Sequence, residues 1–360
     1  FCVQLLNATI IIASVANFKF MAQINGTIAY LLHSAYLSEL IFIMKKTLTS
    51  LFFLATVFGA TAQKKITNEL IWNSREFNAD YLGGFNSMND GESFSDVMAS
   101  DANGQTIIQC SFVNGDTLKA ITTAKKIFGN AISAFDNYSF NADESMLLIE
   151  TESEGIYRWS SMANYLVHDL ASGKTTPIAN FKKGKQRLAT ISPDKKRVAF
   201  VRDNNIFIFN IETKEEKQIT FDGEKNRIIN GATDWVYEEE FGFDRGLYWN
   251  ETGSLLAYYK FNESSVPEYG MDIYGSLYPE RTTFKYPKAG EKNSDVSIHI
   301  YELTSNKSFL VEKTSAEFEY IPRIKWGKQA TQLLVQKMNR HQNHLVFELT
   351  APIRAEGMDT

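Results

Sequence analysis

A short unit recurs along this chain and limits what it can fold into. Asn141-Ala-Asp-Glu-Ser-Met-Leu-Leu-Ile is similar to Ser192-Pro-Asp-Lys-Lys-Arg-Val-Ala-Phe, and both are similar to Asn250-Glu-Thr-Gly-Ser-Leu-Leu-Ala-Tyr and Gly327-Lys-Gln-Ala-Thr-Gln-Leu-Leu-Val. Each is a polar turn feeding an apolar strand, and Trp249 and Trp326 stand just before two of them. Asp101-Ala-Asn-Gly-Gln-Thr-Ile-Ile reads as a poorer copy. The intervals between the four good copies are 51, 58 and 77 residues. Irregular repeats of about fifty residues, each holding a few strands, indicate propeller blades with loop insertions. A β-sandwich is the rival fold, but it leaves the recurring unit unexplained.

The strands themselves are readable. Arg197-Val-Ala-Phe-Val-Arg202 is one strand, Asp203-Asn204-Asn205 a turn, and Ile206-Phe-Ile-Phe-Asn-Ile211 the return. Glu212 to Glu215 make the next turn before Gln218-Ile219-Thr220. Such runs joined by Asp/Asn/Gly turns predict a β-meander. They are continuously apolar rather than alternating, as in strands buried on both faces. The aromatic share of 13% points the same way, because aromatic side chains favour strands. The expected fold is all-β: a propeller of four-stranded blades, incomplete, with about four to five blades present. The chain stops soon after the strand Leu345–Leu349, and a propeller must close to protect its edges, so truncation is expected.

The first sixty residues read differently. Met44-Lys45-Lys46 supplies a basic start, Leu48 to Phe58 an apolar run, and Ala60-Thr61-Ala62 a small-x-small cleavage pattern before Gln63. This is the pattern of a secretory signal over 44–62. Residues 1–43, which begin with Phe and carry no charge from Phe1 to Phe18, read as a doubtful upstream segment. The mature chain then runs from 63 to 360 and is exported, to a periplasm, an outer surface or the medium. Without residues 1–62 the formal charge moves from −5 to −7, and Cys110 is the single remaining cysteine. Such a chain has no internal disulfide and relies on its core. Its acidic balance also speaks against a nucleic-acid partner.

Familiar catalytic signatures are missing. Gly91-Glu92-Ser93 is followed by Ser95 rather than Gly, so it makes no nucleophile elbow. There is no HExxH, Walker A or GxGxxG motif. His341 and His344 read as parts of a polar hairpin turn rather than metal ligands, and no cofactor is expected. One segment stands out: Asn230-Gly-Ala-Thr-Asp-Trp-Val-Tyr-Glu-Glu-Glu-Phe-Gly242. Three adjacent carboxylates among bulky aromatics repel one another unless something cationic joins them. One reading is a solvated acidic turn; the other is a carboxylate pair that receives an ammonium group. A free peptide N-terminus, with a pKa near 8, is mostly charged at neutral pH and suits such a clamp.

The Asp234-Trp-Val-Tyr-Glu-Glu-Glu-Phe segment resembles the signature of the dipeptidyl peptidase IV family, within its N-terminal propeller. Phe261-Asn-Glu-Ser-Ser-Val-Pro267 and Tyr286-Pro-Lys-Ala-Gly290 also look like family segments, and the likeness runs from about 65 to 349. The resemblance implies that Glu239 and Glu240 hold a substrate's α-ammonium group. It implies that Arg158, within Tyr157-Arg-Trp-Ser-Ser-Met-Ala-Asn-Tyr165, hydrogen-bonds a substrate carbonyl; Trp159 stands where the family commonly has His. The insertion from Tyr269 to Tyr286 resembles an arm that contributes to family homodimers. The family's Ser-Asp-His triad lies in a C-terminal α/β-hydrolase domain, and no catalytic residue is assigned in this chain.

The implied function is the substrate-gating, N-terminus-recognising propeller of an exported serine exopeptidase that releases dipeptides, with Pro or Ala second. The alternative is a non-catalytic propeller that binds peptides or partner proteins. An in-frame Gly-x-Ser-x-Gly beyond codon 360 would favour the peptidase, and a stop codon the scaffold. The 360-residue chain alone is expected to be inactive; turnover of a Gly-Pro chromogenic substrate by the purified chain would overturn that expectation.

Overall fold

In a computed structural model the described residues are 36–47, 65–78 and 85–350. The chain divides into two units, Phe1–Tyr81 and Leu82–Thr360. In the first, residues 36–47 form an exposed helix, and Asn68–Trp72 a short one whose N-cap Thr67 accepts a bond from the Leu70 amide at 3.1 Å. No helix among the described residues is long and apolar enough to cross a membrane. Of the expected signal segment, residues 48–62 lie outside the described residues, as do residues 1–35 upstream.

The second unit is a succession of antiparallel sheets in chain order. The first holds β1 (Asn86–Ser87), β2 (Ser93–Asp101), β3 (Gly104–Ser111) and β4 (Thr117–Thr123). The second holds β5 (Asn137–Phe140), β6 (Met146–Gly155), β7 (Ser161–Asp169) and β8 (Thr175–Pro177). The third holds β9 (Arg187–Ile191), β10 (Arg197–Arg202), β11 (Asn205–Asn210) and β12 (Glu216–Gln218). A fourth, five-stranded sheet combines β13 (Ile228–Asn230), β14 (Leu247–Trp249) and β15 (Leu255–Asn262) with β18 (Asp295–Glu302) and β19 (Lys307–Lys313). Between β15 and β18 the chain makes a separate hairpin, β16 (Glu268–Ile273) with β17 (Glu280–Lys285), at the place of the expected arm. The last sheet has three strands: β20 (Tyr320–Trp326), β21 (Leu333–Met338) and β22 (Leu345–Leu349).

The β10–β11 hairpin shows why these sequences choose this arrangement. The strands pair from Arg197 opposite Asn210 to Arg202 opposite Asn205. Asp203 and Asn204 turn the corner with φ of 50° and 57°, the left-handed pair that a two-residue hairpin needs and that Asp and Asn tolerate. Successive side chains leave on opposite faces. Val198, Phe200, Phe207 and Phe209 accordingly join Leu148, Tyr165 and Val167 of the second sheet in one core. Ala199, Val201, Ile206 and Ile208 join Leu247, Leu256 and Tyr258 of the fourth sheet in another. The continuous apolar run thus fills two cores at once. At about 1.5–3 kcal/mol for each large apolar side chain buried, this packing outweighs any single polar contact.

The recurring unit also has a physical basis. In each copy the amide at its first position donates to the carbonyl five residues on: Asn141 to Met146 (3.0 Å), Ser192 to Arg197 (2.8 Å), Asn250 to Leu255 (3.0 Å) and Gly327 to Gln332 (2.8 Å). In three of them the first side chain returns the contact. The Met146, Arg197 and Leu255 amides donate to Asn141 Oδ1, Ser192 Oγ and Asn250 Oδ1, at 2.8, 3.0 and 3.0 Å. The unit therefore closes the loop that feeds an inner strand of each sheet: β6, β10, β15 and β21. The poorer copy at Asp101 is not its equivalent, for Asp101 pairs with Gly104 in the tight β2–β3 turn. The true counterpart is Met88 to Ser93, joined by a Met88 N to Ser93 O bond of 2.9 Å. Methionine cannot cap through its side chain, so Asp90 accepts from the Ser93 amide instead, at 2.9 Å, and the sequence signal is lost.

Asn250 also donates to Ala330 O at 3.0 Å, tying the fourth sheet to the last one, and it is 1% exposed. Asn250→Ala is expected to cost about 3 kcal/mol in urea unfolding, because the buried Leu255 amide and the part-buried Ser254 amide and Ala330 carbonyl lose a partner together. A loss below about 0.5 kcal/mol, the usual effect of a surface change, would contradict this role.

Candidate functional site

The carboxylate triplet lies on a short helix, Trp235–Phe241, inserted between β13 and β14. Asp234 caps it, accepting from the Tyr237 amide at 3.0 Å and from Ser294 Oγ at 2.6 Å. Gly242 ends it in the left-handed conformation with φ of 68°. The approach to the helix needs glycine too. Gly231 has φ of 77°, and a Cβ there would come within 2.8 Å of Ile206 and 2.9 Å of Val201.

Tyr237 anchors the helix. Its ring is 1% exposed, lies 4.8 Å from Phe261 and 4.9 Å from Phe241, and its hydroxyl accepts from the Ile321 amide of β20 at 2.9 Å. Successive residues on a helix are rotated by about 100°, so the three glutamates face different surroundings. Glu238 is wholly buried, Glu239 half-buried and Glu240 exposed.

The β6–β7 connection reaches the same place from 80 residues earlier in the chain. It is closed by Ile156 N to Ser160 O at 2.8 Å and by Tyr157 N to Ser160 Oγ at 3.2 Å. Arg158, at its tip, sets its Nε 3.0 Å from Glu239 Oε2. The fold therefore brings together Arg158 and Glu239, with Glu240 next to Glu239 on the helix. The arm hairpin braces both pieces: Phe284 packs 5.8 Å from Tyr157, and Tyr286 packs 4.2 Å from Trp235.

Two groups that the sequence pattern did not single out complete the surroundings. The first is Glu238, whose Oε1 accepts the Trp159 and Ser160 amides at 2.8 Å each. Its Oε2 is buried without a hydrogen-bond partner. Arg187 lies close enough to interact electrostatically with Glu238; burial pulls its guanidinium below its ordinary pKa, and Asp244 and Glu238 oppose that shift. The second is Glu263, 6% exposed at the base of the arm. Burial, with Asp234 adding to it, pushes this carboxyl up to about 7, and Lys285 only partly offsets the effect. Burial likewise raises the Tyr157 hydroxyl to about 12, with Glu263 adding to the shift. Glu238 had one legible signal, its place in the triplet, but nothing showed which glutamate turns inward. Glu263 lies inside a family-like segment without any motif of its own.

Other polar features lie apart from the helix. Grooves of about 490 and 530 Å³ share Lys183 and Glu216 beside β12. The Arg202 guanidinium there is engaged by both Glu216 oxygens, at 3.0 and 2.7 Å, and stands 4.1 Å from the Phe207 ring centroid. His341 and His344 sit in the β21–β22 turn, where Asn339 Oδ1 accepts the His344 amide at 3.0 Å. Among the described residues no group of His, Cys, Asp and Glu is arranged to hold a metal.

The family model described as the dipeptidyl peptidase IV (DPP IV) N-terminal region matches residues 141–357, more than half of the sequence. The chain belongs to this family. Dipeptidyl peptidase 4 of Trichophyton tonsurans is 34% identical over 241 residues, 65% of this chain and 29% of that protein. The probable dipeptidyl-aminopeptidase B of Talaromyces stipitatus is 32% identical over 214 residues, 55% of this chain and 24% of that protein. The crystal structure of Porphyromonas gingivalis dipeptidyl peptidase 4 superposes with a TM-score of 0.73 at 37% identity, covering 81% of this chain and 41% of that one. This dipeptidyl peptidase IV family chain thus spans under a third of the length of these curated relatives, and its all-β, antiparallel architecture is that of their N-terminal part.

The raised Glu263 carboxyl has a consequence for stability. Between its ordinary value of 4.5 and about 7, the folded state keeps a proton that the unfolded chain has released. Stability contributed by this group therefore falls as pH rises through that window, and the whole penalty is present above it. Glu263→Gln is expected to raise the melting temperature at pH 8 and to change it little at pH 4.5. Equal shifts at both pH values would show that ionisation of Glu263 is not the cause.

Proposed function

We propose that this chain is the substrate-gating, N-terminus-recognising part of an exported serine exopeptidase that releases N-terminal dipeptides, preferring Pro or Ala at the second residue. The observation that carries the reading is the Arg158–Glu239 contact of 3.0 Å beside Glu240, on a helix anchored at both ends. Glu239 and Glu240 receive the α-ammonium group, and Arg158 keeps further N–H donors for a substrate carbonyl. An exposed ion pair of this kind adds little to stability, about 0–1 kcal/mol, so its use lies in geometry. Fixing the amine measures the chain: the scissile bond comes two residues away, over a nucleophile supplied by a Ser-Asp-His hydrolase domain outside this segment. That is catalysis by positioning.

The serial packing of sheets supports reading them as blades of a propeller, and the same proposal takes 44–62 as an export signal and 63–360 as the propeller segment. The arm hairpin is its homodimer contact. Tyr269, Met271 and Ile273 alternate along β16 with apolar surface exposed, and Tyr274, Leu277 and Tyr278 are more exposed still.

Calorimetry with the purified chain and the tripeptide Gly-Pro-Ala tests the clamp. Glu240→Gln is expected to weaken binding about 10- to 100-fold, the range for losing a hydrogen bond to a charged group. N-acetylation of the peptide should do the same. Equal affinity for the free and acetylated peptides would refute the role given to the two glutamates.

A further inference from the structure

Arg158 is held in place by something other than its ion pair. Its side chain is 68% exposed and sits at the tip of a hairpin connection. A pair with one exposed partner fixes a long, flexible side chain only weakly. Yet the backbone immediately after it is fastened from below: the Trp159 and Ser160 amides both donate to Glu238 Oε1 at 2.8 Å. Two amides sharing one buried carboxyl oxygen hold the loop from its inner side. They span 79 and 78 residues of sequence, so they are tertiary tethers rather than local turn contacts.

The acceptor's position is informative. Glu238 precedes Glu239 on the same helix, turned inward where Glu239 is only half-buried. Both ends of the Arg158–Glu239 pair are therefore referred to one rigid element. Glu239 is carried by the helix directly, and the Arg158 loop is carried by the helix through Glu238. A buried carboxyl is a costly way to hold a loop that merely needs filling, since an apolar side chain would fill the same space without burying a polar group. The cost is understandable if the loop's register matters.

We propose that Glu238 is the positioning residue of this site: it grips the Trp159 and Ser160 amides and so sets Arg158 in register with Glu239. The inference rests on reading the site as a clamp for peptide N-termini, but its structural half can be tested separately. Glu238→Met keeps the bulk and removes the acceptor. Glu238→Gln keeps an acceptor oxygen, and Glu238→Asp keeps the charge but shortens its reach.

The experiment uses the full chain and two readouts: amide hydrogen exchange at Trp159 and Ser160, and calorimetric affinity for Gly-Pro-Ala. In Glu238→Met the two amides should exchange at least about tenfold faster, as expected when a buried acceptor is lost, with β10 and β11 unchanged. Affinity should fall by the same factor as in Arg158→Ala, and the double variant should bind no more weakly than Arg158→Ala alone. Glu238→Gln should restore most of both readouts. Unchanged exchange in Glu238→Met, or losses that multiply in the double variant, would overturn the assignment. If Glu238→Met does not fold, Glu238→Asp decides in the same way, by loss or retention of protection at the two amides. If the wild-type chain does not bind the tripeptide, the clamp reading fails, and exchange alone decides whether Glu238 holds the loop.

Discussion

The architecture depends on strands that have no solvent face. In β10 and β11 alternate residues enter two separate cores, so the third sheet is stable only with the second on one side and the fourth on the other. The same holds along the chain. Leu147 and Ile149 pack towards the first sheet, whereas Leu148 packs towards the third. Leu256 and Tyr258 face the third sheet, whereas Ala257 and Tyr259 face the last one. Each sheet is thus completed by its neighbours in sequence, and the connecting loops are free to carry groups with other tasks.

The site occupies the place where this rule is interrupted. A helix replaces sheet pairing between β13 and β14, and its inward face holds an aromatic anchor, Tyr237, together with a buried carboxyl, Glu238. Tyr237 binds the helix to β20 through the Ile321 amide, and Glu238 binds it to the β6–β7 loop. A seven-residue helix has little stability of its own. Its rigidity comes from these neighbours, which makes it a fixed base for Glu239 and Glu240.

Much of this could be read from the sequence, and the limits have physical causes. The hairpin at Asp203-Asn204 was legible because its turn chemistry and strand composition agree. The unit at Asn141, Ser192 and Asn250 was legible because its capping side chain is itself a sequence signal. In the first sheet that job passes to Asp90, two residues further on, and the pattern pointed to the wrong turn at Asp101. Family resemblance supplied Arg158, Glu239 and Glu240; the fold pairs the first two and sets Glu240 next to Glu239 on the helix. It did not distinguish Glu238 from its neighbours, because helix phase relative to a loop some 80 residues away is a tertiary fact. Glu263 was invisible for the same reason: its raised pKa arises from burial, and no local motif encodes burial.

The division of each strand between two cores has a further consequence for how such a protein changes over time. Phe200 and Val201 are covalent neighbours, yet they share no core, whereas Phe200 and Phe209 sit nine residues apart in separate strands and share one. Compensation for a lost methyl group is expected from within the same core, so substitutions at odd and even positions of a strand should combine nearly additively. Energetic coupling between substitutions is therefore expected to run between sheets more than along a strand.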